Sequence, residues 1–280
     1  MFEVTIKKLQ IPCPACTVNS TGTQKKLGGY DLMVCQNCGL WFCNPSELPD
    51  VNYDDVYETE EYQKLHFGSL DNTKDWTEFK KYSTYKPFFL NVPIRPKGTL
   101  LDVGCGVGRF CRAAYTDGWK VKGIDISEKA IEKGLEMAPF PMMRGNVQDL
   151  IKTGERFNVV TAFEVLEHLP TPIDFVRTIK ELVKPDGNFF CTVPNIDSTS
   201  VQRSTRPDWI PPVHVLFFTQ MALRELLKRA GFREVLTGII WVNTPPENAG
   251  LEFFKYYLRR LLRQKSTEPD PLGLWAMGSK

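Results

Sequence analysis

The chain has 280 residues, 42% of them hydrophobic and 24% charged; it is long enough for one full α/β domain plus a smaller unit, and this composition excludes disorder. Its 35 basic and 33 acidic residues leave a formal net charge of +2, too little to drive general binding to nucleic acid. No apolar run reaches the roughly 18 residues of a membrane helix, and the stretch from Met1 to Ile11 is too short and polar for a secretory leader, so the expected compartment is the cytoplasm.

Five of the eight cysteines fall between Cys13 and Cys43, and Cys105, Cys111 and Cys191 lie far downstream. Cys13 and Cys16, then Cys35 and Cys38, form two C-x2-C knuckles 18 residues apart, the spacing of tetrahedral zinc on four thiolates. Between them Gly28-Gly29 and the β-prone run from Tyr30 to Val34 predict a hairpin that brings the second pair back to the first. So small a segment has no core of its own, and bound Zn2+ contributes directly to its folding. No βαβ pattern surrounds either pair, which weighs against a redox-active dithiol. Four thiolates leave no open coordination position, so the ion is structural. Cys43, beside Trp41 and Phe42, reads as a buried apolar residue, with a replacement-ligand role as the alternative. This zinc ribbon is expected to occupy residues 1–48.

Residues 49–96 are acidic and aromatic (Tyr53, Tyr57, Tyr62, Trp76, Tyr82, Tyr85) and are expected to form a connector of one or two helices that packs on the core or covers a site. From Lys97 onward, short apolar runs alternate with amphipathic ones, the βαβ rhythm of a doubly wound parallel sheet. Strands are predicted at Thr99 to Val103, Lys120 to Ile126, Phe157 to Phe163, Phe189 to Val193, Val235 to Val242 and Leu274 to Met277. Helices are predicted from Arg109 to Asp117, from a Thr171 cap with Pro172 at the first helical position, and from a Thr219 cap to Gly231. Lys184 to Gly187 reads as a turn. Leu251 to Gln264 reads as a basic aromatic helix, either packed on the sheet or facing an anionic partner.

The run from Leu100 to Phe110 is a strand, a turn containing Gly104, Gly106 and Gly108, and a helix start. Glycines let the backbone approach a ligand, and the helix N-terminus offers free amides to an anion. Asp125, about twenty residues on at the end of the next strand, suits two ribose hydroxyls. Together they point to an adenosine-type cofactor, with a dinucleotide as the competitor.

On these motifs the portion from Lys97 to Lys280 resembles the class I methyltransferases. The resemblance implies a seven-stranded, mostly parallel Rossmann-like α/β sheet and S-adenosylmethionine as cofactor. It implies that Gly104, Gly106 and Gly108 make room for the cofactor, that Asp102 acts near its ammonium group, and that Asp125 holds the ribose with Ile126 beside the adenine. Asn146 and Val147 stand in a segment similar to the family's adenine-amine motif, and Phe163 joins the cofactor-contacting set. The run from Ala162 to Pro170, followed by Leu182 to Gly187, resembles methyltransferase motifs that dehydrogenases lack.

Methyl transfer from a sulfonium needs alignment, exclusion of water and, for a hydroxyl acceptor, a base. The acceptor is expected outside the carboxyl ends of the strands, near Phe163 to His168, Asn195 to Ser200 and the loop from Thr205 to His214. His214 is the candidate general base, with fixing of its loop as the alternative. Glu164, Glu167 and His168 form E-x-x-E-H, similar to a grouping in quinone-biosynthesis O-methyltransferases and small-RNA methyltransferases that bind a divalent cation; helical spacing would put all three on one face. A structural turn is the alternative. Ribbon, tyrosine-rich connector and this domain together resemble bacterial methyltransferases of sugar and surface-polysaccharide biosynthesis. That implies O-methylation of a small hydroxylated acceptor, a sugar or sugar nucleotide. The alternatives are a ribosomal RNA base methyltransferase that also carries a ribbon, and a cofactor-binding subunit serving a partner.

Overall fold

The structure, a computed structural model, describes residues 11–20, 23–44, 59–60, 75–92, 97–242 and 270–280. The helix expected at 251–264 and the connector tyrosines Tyr53, Tyr57 and Tyr62 lie outside the described residues.

The ribbon begins with two short paired strands, β1 (Ile11–Pro12) and β2 (Asn19–Ser20), framing the first knuckle. A hairpin follows, β3 (Thr23–Leu27) and β4 (Tyr30–Val34), with Leu27 opposite Tyr30. Gly28 and Gly29 both have positive φ, at 56° and 89°, as a two-residue turn matched to strand twist requires. β5 (Trp41–Cys43) adds to β4 after the second knuckle. In the connector a 3-10 turn (Trp76–Lys81) leads to α1 (Lys86–Asn91). Phe88 of α1 is fully buried against Phe110, Trp119 and Phe190, burial worth about 2–3 kcal/mol, so this end of the connector is part of the core.

The large domain follows in βαβ order: β6 (Thr99–Val103), α2 (Arg109–Thr116), β7 (Lys120–Asp125), α3 (Glu128–Leu135), β8 (Met142–Arg144), α4 (Val147–Thr153), β9 (Phe157–Phe163), α5 (Pro172–Leu182) and β10 (Val183–Pro194). After these come α6 (Thr199–Gln202), β11 (Leu216–Phe217), α7 (Gln220–Arg229), β12 (Val235–Val242) and β13 (Asp270–Ser279). Seven strands form one sheet in the order β12-β13-β10-β9-β6-β7-β8. β6 to β10 are parallel, and β13 runs antiparallel to both β10 and β12. The inner strands read as continuous apolar runs because helices cover both faces. From β6 the chain winds outward through β7 and β8, then crosses back to β9 on the other side; the crevice at this reversal is where such sheets bind ligands.

The turn expected at Lys184 to Gly187 is a bulge inside β10, with a register shift between Val183 and Asn188 and Asp186 at φ 59°. β13 is longer than the predicted Leu274 to Met277. Thr171 occupies the N-cap position of α5 without a side-chain cap bond, whereas the Thr219 hydroxyl caps α7 by accepting from the Ala222 N–H. Among the described residues no helix is long and apolar enough to cross a membrane.

The ribbon sheet does not end within the ribbon. β11 pairs antiparallel with β5, so a strand of the large domain completes a four-stranded sheet ordered β11-β5-β4-β3. The two units share one hydrophobic cluster, in which Leu32, Leu40 and Phe42 belong with Leu216, Phe217 and Leu223.

Candidate active site

The Cys13 and Cys38 sulfurs lie 3.6 Å apart, as do those of Cys16 and Cys35, and all four are within 4.8 Å of one another and buried. A zinc tetrahedron with arms of about 2.3 Å has edges of about 3.8 Å, so the four sulfurs are spaced for the ion. Cys43 stands outside this group; its N–H bonds to the Val215 carbonyl.

Above the carboxyl ends of β6, β7 and β9 lies a cavity of about 820 Å3. One end is built by the glycine turn. Gly104, Gly106 and Gly108 have φ of 73°, 52° and 80°, which disfavours any larger residue at all three, and at Gly104 space excludes one as well, since a Cβ there would come 2.5 Å from a Val165 methyl carbon. Gly104, Gly106, Asp125, Ile126, Asn146, Val147 and Phe163 all line the cavity. The Asp125 carboxylate accepts from the N–H groups of Gly106 at 2.7 Å and Ser127 at 2.9 Å. Asn146 also caps α4: its side chain accepts from the Asp149 N–H at 3.1 Å, and Asp149 accepts from the Asn146 N–H at 3.4 Å.

Asp102 and Gly108 are not among the lining residues. Asp102 is buried one layer behind, accepting from the Thr161 hydroxyl at 2.7 Å and the Cys111 thiol at 3.5 Å; burial raises its carboxyl to about 7 against those bonds. Gly108 starts α2 from the left-handed region.

At the other end are Glu164, Glu167, His168 and His214, with Arg206 and Trp209 from the loop before His214. Asn195 to Ser200, expected here, do not line the cavity. The His168 and His214 rings meet edge to face with centroids 4.7 Å apart, and Nδ1 of His168 is 3.0 Å from the Val213 carbonyl. Glu167, His168 and His214 bring ligand atoms within 4.8 Å of one another. Glu164, expected as the third member of this group, stands apart from it: the residue has φ 55°, which breaks helical spacing, and its carboxylate accepts from the Thr192 hydroxyl at 2.8 Å. Although the cavity leaves Glu164 exposed, desolvation by the surrounding walls raises its carboxyl to about 7. Glu167 is 1% exposed, neither carboxylate oxygen has a hydrogen-bond partner, and burial followed by the nearby Glu164 pushes its carboxyl well up. An orphaned buried carboxylate beside two imidazoles is a donor set that a divalent cation would satisfy. Tyr82, Thr84 and Tyr85 of the connector complete the wall, Tyr85 packing edge-on to Phe163 at 5.0 Å. The aromatic spacing of the connector signalled a helix there but not which tyrosine reaches the site.

A family model described as a methyltransferase domain matches residues 77–237. Ubiquinone biosynthesis O-methyltransferases from Coxiella burnetii and Serratia proteamaculans are 32% and 34% identical over 139 and 131 residues, covering 44% and 41% of this chain and 58% and 53% of theirs. The chain therefore spans a little over half the length of these curated relatives. A methyltransferase structure from Archaeoglobus fulgidus superimposes with a TM-score of 0.54 at 18% identity, over 79% of this chain and 98% of that one, which is a likeness of fold. The chain belongs to the methyltransferase-domain family.

Proposed function

We propose that the protein transfers a methyl group from S-adenosylmethionine to an oxygen of a small hydroxylated acceptor, a sugar or sugar nucleotide. The observation that carries this reading is that a single cavity joins the glycine turn and Asp125 to the Glu164, Glu167, His168 and His214 group. At the first end Gly104, Gly106 and Gly108 give the amino-acid part of the cofactor access to the backbone. Asp125 keeps its two backbone partners and offers its remaining lone pairs to the ribose hydroxyls, Ile126 and Val147 flank the adenine, Asn146 offers it polar contact, and Phe163 backs the sulfonium, with Asp102 behind supporting the turn. The bound cofactor supplies an electrophilic methyl on a leaving group that departs neutral, so the protein's work is alignment, exclusion of water and removal of one proton. His214 accepts the acceptor's hydroxyl proton as the new carbon–oxygen bond forms.

The orphaned carboxylate of Glu167 supports a second reading of this end, in which Glu167, His168 and His214 hold a divalent cation and His214 is a ligand. A bound cation would supply Lewis acidity toward the acceptor oxygen. Chelator-dialysed protein separates the two: turnover that persists assigns His214 as base, and turnover that returns only with Mg2+ or Mn2+ assigns it as ligand.

The acceptor class is tested by methyl-transfer assays on nucleotide sugars beside phenols, the latter included because the 32% identical relatives are named for O-methylation in ubiquinone biosynthesis. Turnover of nucleotide sugars supports the proposal; turnover of phenols alone replaces it. Co-purifying RNA, or activity that appears only with an added partner protein, would overturn it in favour of an RNA substrate or a partner subunit.

A further inference from the structure

The ribbon and the acceptor end of the cavity are joined through a short series of backbone bonds. β5 starts three residues after Cys38 and pairs with β11, Phe42 opposite Leu216 and Trp41 opposite Phe217. One further bond extends the pairing, from the Cys43 N–H to the Val215 carbonyl at 3.0 Å. Val215 in turn donates its own N–H to the Glu167 carbonyl at 2.9 Å, and the Val213 carbonyl meets Nδ1 of His168. His214 lies between these two anchored residues, within reach of Glu167 and His168. The second knuckle is tied to the same region: the Thr219 hydroxyl donates to the Cys38 carbonyl at 2.7 Å while capping α7.

β11 has two residues, and a strand so short has no stability unless neighbours hold it. The segment before it, from Thr205 to His214, contains only a 3-10 turn at Pro207–Trp209. The pairing on β5 and the packing of Leu216 and Phe217 with the fully buried Phe42 therefore hold the ribbon side of the segment that carries His214, whose other bonds run to Ile210, Glu167 and Ile196 within the large domain. β5 is itself in place only when the ribbon is folded, and the ribbon's folding energy comes largely from its metal. The cofactor end stands on β6, β7 and β8, none of which pairs with a ribbon strand.

We propose that the zinc-loaded ribbon is the positioning element of the acceptor end: β5 splints β11, and loss of the four-thiolate metal loosens the Glu167, His168 and His214 group while leaving the cofactor end intact. The consequence for catalysis rests on the role given to this group above, whereas the mechanical claim is read without any acceptor.

The test compares full-length zinc-loaded protein with protein stripped by a thiol reagent and with the same sample after Zn2+ is restored. Hydrogen exchange is followed by mass spectrometry, and affinity for S-adenosylhomocysteine by calorimetry. Stripping should speed exchange at least about tenfold at residues 213–217 and 166–169, leave residues 99–109 unchanged, and alter the affinity by less than about threefold; restored Zn2+ should reverse the exchange. Unchanged protection at 213–217, or equal loosening of 99–109, overturns the proposal. Should the stripped chain unravel, F42A keeps all four thiolates and removes the packing on Leu216. With zinc still bound one to one, it should speed exchange at 213–217 and 166–169 and spare the cofactor affinity; wild-type protection at those segments overturns the proposal as well. Failure of every acceptor assay would leave these readouts standing, and their failure would leave the methyl-transfer reading standing.

Discussion

The carboxylate of Asp125 takes two backbone N–H groups, of Gly106 and Ser127, and so holds the glycine turn against the end of β7 while presenting itself to the cavity. Hydrogen bonds to a charged group contribute about 1.5–3 kcal/mol each, so Asp125→Ala should weaken S-adenosylhomocysteine binding at least about tenfold in calorimetry. Asp102, one strand over, is sealed. Burial lifts its carboxyl from 3.8 to about 7, so between those values the folded protein keeps a proton that the unfolded chain has released. Its contribution to stability is complete below pH 3.8 and is lost as pH rises through about 7. Asp102→Asn should therefore flatten part of the fall in melting temperature between about pH 4 and pH 7; Glu164 and Glu167, shifted the same way, keep the slope from vanishing. An unchanged slope would contradict the buried carboxyl. Gly104, Gly106 and Asp125 were legible in the sequence because strand, turn and spacing are local signals. That the loop ending at His214 shares the acceptor end with Phe163 to His168 was expected too; the contact of His214 with Glu167 and His168 was not, since it depends on how a loop more than forty residues away comes to rest. Nor was the left-handed backbone of Glu164, which no periodicity announces.

At the scale of elements, Asn146 serves both the cavity and α4, where it forms a reciprocal cap with Asp149. Asn146→Ala should lower stability by about 1 kcal/mol in denaturant titration, and Asn146→Asp, an equally good cap, should leave it nearly unchanged. The boundaries of β6, β9, β12 and α7 were readable from apolar runs, glycines and the Thr219 cap. The bulge in β10 was read as a separate turn because Pro185, Asp186 and Gly187 are turn formers, while the pairing of Val183 with Phe157 on its far side has no sequence signal. The same holds for β5 and β11, whose residues look like ribbon and loop until they are paired.

Across the whole molecule, ribbon and sheet share one buried cluster and α1 of the connector packs into a second, while β11 of the large domain completes the ribbon's sheet. Zinc-loaded protein should accordingly unfold in one calorimetric transition reported alike by ribbon and sheet probes; two separated transitions would mean that the shared core does not couple them. β13 carries a different consequence. It lies between β10 and β12, pairing with β10 from Asn188 opposite Ser279 to Pro194 opposite Gly273. On the ribosome, a nascent chain halted between Val242 and Asp270 holds every residue assigned above to the cofactor end yet keeps two naked strand borders, β10 and β12, available for mispairing with other polypeptides. Premature stop codons late in the message should thus yield insoluble product and not a merely sluggish enzyme.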